Sequence, residues 1–181
     1  MVDEKYNIII ETKRLILREM VNSDFESLKK IISDKENMKY YPKPYDDNGV
    51  NRWLSWCIDS YKKNGFGLWA VVLKETGEMI GDCGVSIQMI NGAMCYEIGY
   101  HLRLDYHGLK LASEASQAVK DYFFQNYSHD EVYSYMNIEN IPSIKTAEAN
   151  GMKKVGSFVS KDGEVDLIYK ITRSEWINGQ K

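Results

Sequence analysis

The sequence is sparing with cysteine. Cys57, Cys83 and Cys95 are the only three, they lie far apart, and no Cys-x-x-Cys pair is present. A zinc knuckle or a redox dithiol commonly uses that close pairing, so neither is expected. The odd count also argues against a disulfide framework, and reduced, buried thiols in a cytoplasmic protein are the expectation. His101, His107 and His129 lack metal-ligand spacing, so no metal is expected. A strong charge of one sign is missing too. The net charge of −3 offers no basic face to displace counterions from nucleic acid. It suits instead a cationic acceptor such as an amine. Apolar runs are only a few residues long, far short of a membrane span. Met1-Val2-Asp3-Glu4-Lys5 has neither the basic start nor the apolar stretch of a signal peptide. No low-complexity tract, internal repeat or linker interrupts the chain. What is present, 181 residues of which 44% are hydrophobic and 27% charged, fits one domain with a real core.

The periodicities place the elements. Arg14-Leu15-Ile16-Leu17-Arg18 reads as a short first strand, and Phe25, Leu28, Ile31 and Ile32 follow at helical spacing. Pro42 and Pro44 make Tyr40 to Tyr45 a loop, because they remove donors and fix φ. Asp46 or Asp47 caps a second helix that Asn64-Gly65 ends; Trp53 falls on its apolar face beside Leu54 and Cys57 and is expected in the core. Three strands form an antiparallel meander: Leu68 to Leu73, Met79 to Met89 and Ala93 to Leu102, the last two joined by an Asn91-Gly92 hairpin turn. Leu111, Ala115, Ala118, Val119, Tyr122 and Phe123 mark a third helix, and Glu131 to Ile138 a strand. Asn140-Ile141-Pro142 opens a fourth helix, with asparagine as cap and proline in the first turn, and Asn150-Gly151 closes it. Lys153 to Ser160 and Val165 to Ile171 are the last strands, joined through Lys161-Asp162-Gly163. The result is an α+β fold: a mixed, mostly antiparallel sheet of about seven strands with four helices on its two faces. Strand, helix, strand from Ala93 to Ile138 is a right-handed crossover, so those two strands start out parallel.

Chemistry points to one segment. Tyr96-Glu97-Ile98-Gly99-Tyr100-His101-Leu102 runs as a strand through a glycine-bearing loop into the helix that opens at Leu111. Free amides and the helix dipole at such a terminus can hold a pyrophosphate.

Several motifs stand in a telling order. Glu11-Thr12-Lys13-Arg14-Leu15-Ile16-Leu17-Arg18 looks like a T-x-R-L-x-L-R opening. Gly77-Glu78-Met79-Ile80-Gly81 and Glu97-Ile98-Gly99-Tyr100 follow, then Asn140-Ile141-Pro142-Ser143 and Glu148-Ala149-Asn150-Gly151-Met152, similar to N-x-x-S-x-x-x-x-E-x-x-G-F. Over nearly the whole chain these resemble the GNAT superfamily of N-acetyltransferases, closest to its ribosomal-protein N-terminal (Rim-type) branch. The resemblance implies acetyl-CoA as donor, with pantetheine lying between splayed fourth and fifth strands. It implies that the backbone of His101, Leu102 and Arg103 holds the pantetheine. Amides from Gly108 through Leu109, Lys110, Leu111 and Ala112 to Ser113 would hold the pyrophosphate, and Asn137 and Asn140 would lie near the cofactor arm. The family loop reads [RQ]-x-x-G-x-[GA]. Here His107 stands at the basic or amide position, Lys110 at the glycine and Ala112 at the small residue. A glycine there lets the backbone approach phosphate. Lysine either fills the loop, points outward or offers a cation to a phosphate oxygen.

The same resemblance assigns roles. An amine acceptor needs a base, the thioester oxygen needs a donor, and the thiolate needs a proton or hydrogen bond. Glu97 is the candidate base, on a strand where partial burial raises a carboxyl pKa; the other reading is a strand glutamate paired with lysine. Ser143 is the candidate partner of the CoA sulfur, since the family's tyrosine four residues on is Ala147 here. Its other reading is a first-turn serine bonded to its own backbone. Tyr40 and Tyr41, with Glu97, are the candidate acceptor-site residues, since aromatic faces attract cations. A protein N-terminus, an aminoglycoside, a polyamine and an amino-sugar all fit as acceptors. A rival class is a catalytically degenerate CoA-binding or interaction domain, for which Lys110 speaks. A homodimer through the strand from Val165 to Ile171 is a further expectation.

Overall fold

The computed structural model describes residues 6–90, 92–160 and 162–179. The chain runs β1 (Ile8–Glu11), β2 (Leu15–Arg18), α1 (Phe25–Ile32), α2 (Asp47–Asn64), β3 (Leu68–Leu73), β4 (Met79–Ile90), β5 (Ala93–Leu102), α3 (Leu111–Asn126), β6 (Glu131–Asn137), α4 (Ile141–Ala149), β7 (Lys153–Val159), β8 (Val165–Thr172) and α5 (Arg173–Gly179). These strands form one eight-stranded sheet in the order β1-β2-β3-β4-β5-β6-β8-β7. Every pairing is antiparallel except β5 with β6, the pair linked by the α3 crossover.

The local signals act as sequence chemistry requires. Asp46 caps α2 by accepting from the Gly49 amide at 2.7 Å, and Gly65 ends it at φ 76°. Asn140 caps α4 through the Ser143 amide, with Pro142 in the first turn. Ile90 pairs with Ala93, leaving the two-residue turn expected at Asn91-Gly92; Gly92 has φ 79°, and Asn91 lies outside the described residues, as does Lys161 of the second expected turn.

Helices cover both faces, so β3 is buried almost throughout. Trp69 and Val71 join the core under α3, with Val85, Ile98, Leu102, Val119 and Phe123. Ala70 and Val72 join the other core, with Leu28 and Ile31 of α1 and Leu54 and Cys57 of α2. All three cysteines are free and buried.

Three differences from the sequence-based expectations have physical causes. β1 is an added strand of four residues, and α5 an added helix of seven. Both are too short to show a period. The third concerns the strand from Val165 to Ile171. It is interior: β8 pairs with β6 from Glu131–Thr172 to Asn137–Asp166 and with β7 on its other side. Its backbone is satisfied on both sides, so it offers no edge to a second copy, and the sheet edges are β1 and β7.

What positions the site is the opening of the sheet. β5 pairs with β4 along its whole length, from Gly81–Leu102 to Ile90–Ala93, but with β6 only at Glu97–Tyr133. Beyond that point the two strands splay.

Candidate functional site

Strand alternation sorts β4 and β5 into two faces. Val85, Ile98 and Leu102 go to the core under α3. The opposite face carries Asp82, Gly84 and Ser86, in register with His101, Gly99 and Glu97. Above it lies a cavity of about 840 Å³. Its walls come from Tyr40, Tyr41 and Tyr45 before α2, Trp53 and Trp56 on α2, Tyr135 and Asn137 on β6, and Asn140 and Ser143 at the start of α4. Glu139, Asp162, Glu164 and Asp166 add acidic side chains to the lining.

Glu97 accepts from Ser86 Oγ at 3.0 Å, and Ser86 in turn accepts from Gln88 Nε2 at 3.0 Å. Burial pushes its carboxyl up to about 7. No lysine or arginine pairs with it among the described residues, so the strand-glutamate ion pair is not what the structure holds.

Four residues along β5, on the same face, stands His101. Its Nδ1 lies 2.7 Å from Asp82 Oδ1, and its own amide donates to the same oxygen at 3.1 Å. Trp53 Nε1 donates to Asp82 Oδ2 at 3.1 Å. Asp82 is fully buried, with 0% exposure, and three donors satisfy it. His101 Nε2 is 2.7 Å from the Tyr41 hydroxyl. Burial draws the imidazole pKa down, but the Asp82 carboxylate, by charge and hydrogen bond, and Glu97 outweigh it, so the net shift is upward. Gly99, between Glu97 and His101, has no side chain to separate them, and a Cβ there would meet Glu97 oxygens only at 3.8 Å.

The splay exposes a second feature. Ser134 Oγ reaches across to the Ile98 carbonyl at 2.6 Å, and the Arg103 amide turns the other way, to Ile80 on β4, at 2.9 Å. By alternation the amides of Tyr100 and Leu102 point into the opening. The Leu102 carbonyl accepts from His107 Nε2 at 2.8 Å. Amides of His101 and Arg103 are thus committed to β4, while Leu102 faces the opening. The Arg103 guanidinium joins Glu78 and Asp105.

Past the opening the chain turns into α3. No side chain caps this helix, so the amides of Leu111, Ala112 and Ser113 have no intrahelical partner. Lys110 takes φ 60° and ψ 18°, the left-handed conformation that glycine adopts without strain, and its side chain is exposed. Gly108 has φ 77° with nothing near a Cβ position, and Leu109 is exposed. The loop is braced from the β1–β2 connection: Glu114 accepts from Thr12 Oγ1 at 2.6 Å, from the Arg14 amide at 2.9 Å and from Arg14 Nε at 2.7 Å. Arg14 Nη1 also donates to the Leu109 carbonyl at 3.0 Å. The T-x-R opening of the sequence is therefore the buttress of this loop.

Ser143 sits at the α4 end of the cavity. Its amide donates to Asn140 and its carbonyl accepts from the Tyr100 hydroxyl at 3.0 Å. Asn137 Oδ1 accepts from the Glu139 amide at 2.8 Å, and its Nδ2 reaches Glu164 at 3.4 Å. The cavity thus gathers Glu97, His101, Tyr40, Tyr41, Asn137, Asn140 and Ser143, whereas His107 through Ser113 lie along the loop into α3.

Sequence reasoning missed Asp82 and underread Trp53. Trp53 packs against the α1–α2 core, yet it also lines the cavity and stands edge-on to His101 at 5.4 Å. The signal for Asp82 was a lone carboxylate inside the apolar run from Met79 to Val85, which demands a buried partner.

The comparisons agree with this architecture. A family model described as an acetyltransferase (GNAT) domain matches residues 14–153. The uncharacterized N-acetyltransferase p20 of Bacillus licheniformis is 34% identical over 148 residues, 80% of this chain and 82% of that protein. An acetyltransferase of Agrobacterium tumefaciens superposes with a TM-score of 0.78 at 26% identity, covering 90% of this chain and 92% of that one. RimL, a ribosomal L7/L12 alpha-N-protein acetyltransferase, superposes with a TM-score of 0.78 at 18% identity, covering 95% of this chain and 97% of that one. The chain belongs to the GNAT family of acetyltransferases.

Proposed function

We propose that the protein transfers acetyl from acetyl-CoA to a primary amine by direct attack in a ternary complex. The carrying observation is Glu97: a carboxyl pushed up to about 7 by burial, in a cavity beside the opening between β5 and β6. A base with that pKa is half ionised at neutral pH and suited to take a proton from an ammonium.

The donor site has the parts such a molecule needs. Amides of Tyr100 and Leu102 would pair with the pantetheine, and those of Gly108 through Ser113 would meet the pyrophosphate at the start of α3. Lys110 already holds the backbone path of a glycine and points its side chain outward, which supports donor binding over a closed loop. RimL and an aminoglycoside acetyltransferase among the structural neighbours are both known in complex with coenzyme A. Bound acetyl-CoA would supply the thioester carbonyl and a thiolate leaving group. Ser143 would hydrogen-bond the sulfur, and Asn140 keeps it at the first turn of α4 by capping that helix. Tyr40, Tyr41 and the cavity's carboxylates would receive the cationic acceptor.

A thermal-shift titration with acetyl-CoA, followed by thiol-release assays with kanamycin, spermidine, glucosamine and an unblocked peptide, tests this reading. A saturable rise in melting temperature and turnover with one of the four amines is the expected result. No shift at millimolar acetyl-CoA would sink it.

A further inference from the structure

An ammonium nitrogen that becomes an amide gives up two protons. The C–N bond forms, the C–S bond breaks with its electron pair on sulfur, sulfur ends with one proton and solvent receives the other. Glu97 carries one proton at a time. Tyr41 and His101 line the same cavity, and Asp82 lies buried behind His101.

Asp82 is fully buried and accepts from both His101 Nδ1 at 2.7 Å and Trp53 Nε1 at 3.1 Å. A carboxylate only accepts, so Nδ1 carries a proton, and once the ring is neutral Nε2 is an acceptor. What faces Nε2 is the Tyr41 hydroxyl at 2.7 Å. The chain runs from a sealed end to an open one: Asp82 is 0% exposed and Tyr41 39%, at the cavity wall. Glu97 and His101 share one face of β5 with only Gly99 between them. An acceptor nitrogen seated over Gly99 would have Glu97 on one side and the His101–Tyr41 pair on the other.

We propose that Tyr41 is a catalytic residue of this reaction and that His101 and Asp82 are positioning residues behind it, a relay that takes the second proton of the acceptor nitrogen. Tyr41 receives that proton as its own passes to His101 Nε2, and Asp82 holds the imidazolium. The relay later returns the proton to solvent or to the departing sulfur. This rests on the acetyl-transfer reading above. Groups facing the imidazole are Asp82 from β4, Glu97 from β5 and Tyr41 from the loop before α2, with Tyr45 and Tyr135 around Tyr41. Lys39 is the only lysine or arginine among the described residues of the cavity wall.

The test is thiol release from acetyl-CoA with the same four amines, across the neutral pH range, for wild type, Tyr41→Phe and Asp82→Asn. Each protein is also titrated with acetyl-CoA by thermal shift. Both variants should keep the acetyl-CoA shift and lose about 10²-fold in kcat rather than in KM. The acid limb of wild type should report two ionisations and that of Tyr41→Phe one. Wild type active with Tyr41→Phe within about twofold of it would overturn the relay alone. A wild type that binds acetyl-CoA and acetylates none of the amines would overturn the acetyl-transfer reading and the relay with it. Tyr41→Phe, at a half-exposed position, keeps the test decisive if Asp82→Asn does not fold.

Discussion

Lys110 shows what a single residue can be asked to do. It is the one non-glycine residue with positive φ among those described, at the N-cap of α3. Left-handed backbone costs an L-residue about 1–2 kcal/mol, partly offset by the greater unfolded freedom of glycine. Lys110→Gly should therefore stabilise the protein by about 1 kcal/mol, or about 2–4 °C in melting temperature. An unchanged or lower melting temperature would contradict the strain. Glu97 and Ser143 were legible as residues because a strand glutamate and a capped helix serine stand in recognisable motifs. Asp82 and Trp53 were not. Their roles come from register and from approach across the fold: Asp82 opposite His101 on β5, and Trp53 reaching it from α2. Neither is written in local sequence.

Among the elements, most of the order was legible, because helical and strand periods, caps and hairpin glycines are local. The position of β8 between β6 and β7 was not, since strand order in a sheet depends on long-range pairing. The same holds for the T-x-R motif, whose work is done on α3. Glu114→Gln removes the charge that gathers Thr12 and Arg14, one partner of which is partly solvent-exposed. Bonds to charged groups are worth about 1.5–3 kcal/mol, less for exposed partners, so a loss of about 1 kcal/mol is expected. Because Arg14 also holds the Leu109 carbonyl, acetyl-CoA affinity should fall as well. Calorimetry on the variant checks both; a stability loss with unchanged affinity would mean the brace does not shape the donor loop.

At the scale of the molecule, the sheet's opening and the buried carboxyl tie folding to function. Glu97 has a folded pKa of about 7, above the ordinary carboxyl value. The protein therefore binds that proton more tightly when folded, and Glu97 loses stability for the fold as pH rises from about 4.3 through about 7. His101, also raised, follows the same sign: its contribution is full below about 6.5 and is lost as pH rises through its folded value. Glu97→Gln should gain on wild type in melting temperature as pH climbs through that window. A constant gap would mean Glu97 titrates normally. The catalytic claim is tested most directly by acetyl-CoA-dependent thiol release against pH, with wild type beside Glu97→Gln and the best of the four amines. The wild-type rate should rise through about pH 7, and the variant should be slower by about 10²-fold or more. A variant as fast as wild type, with the same pH profile, would contradict it.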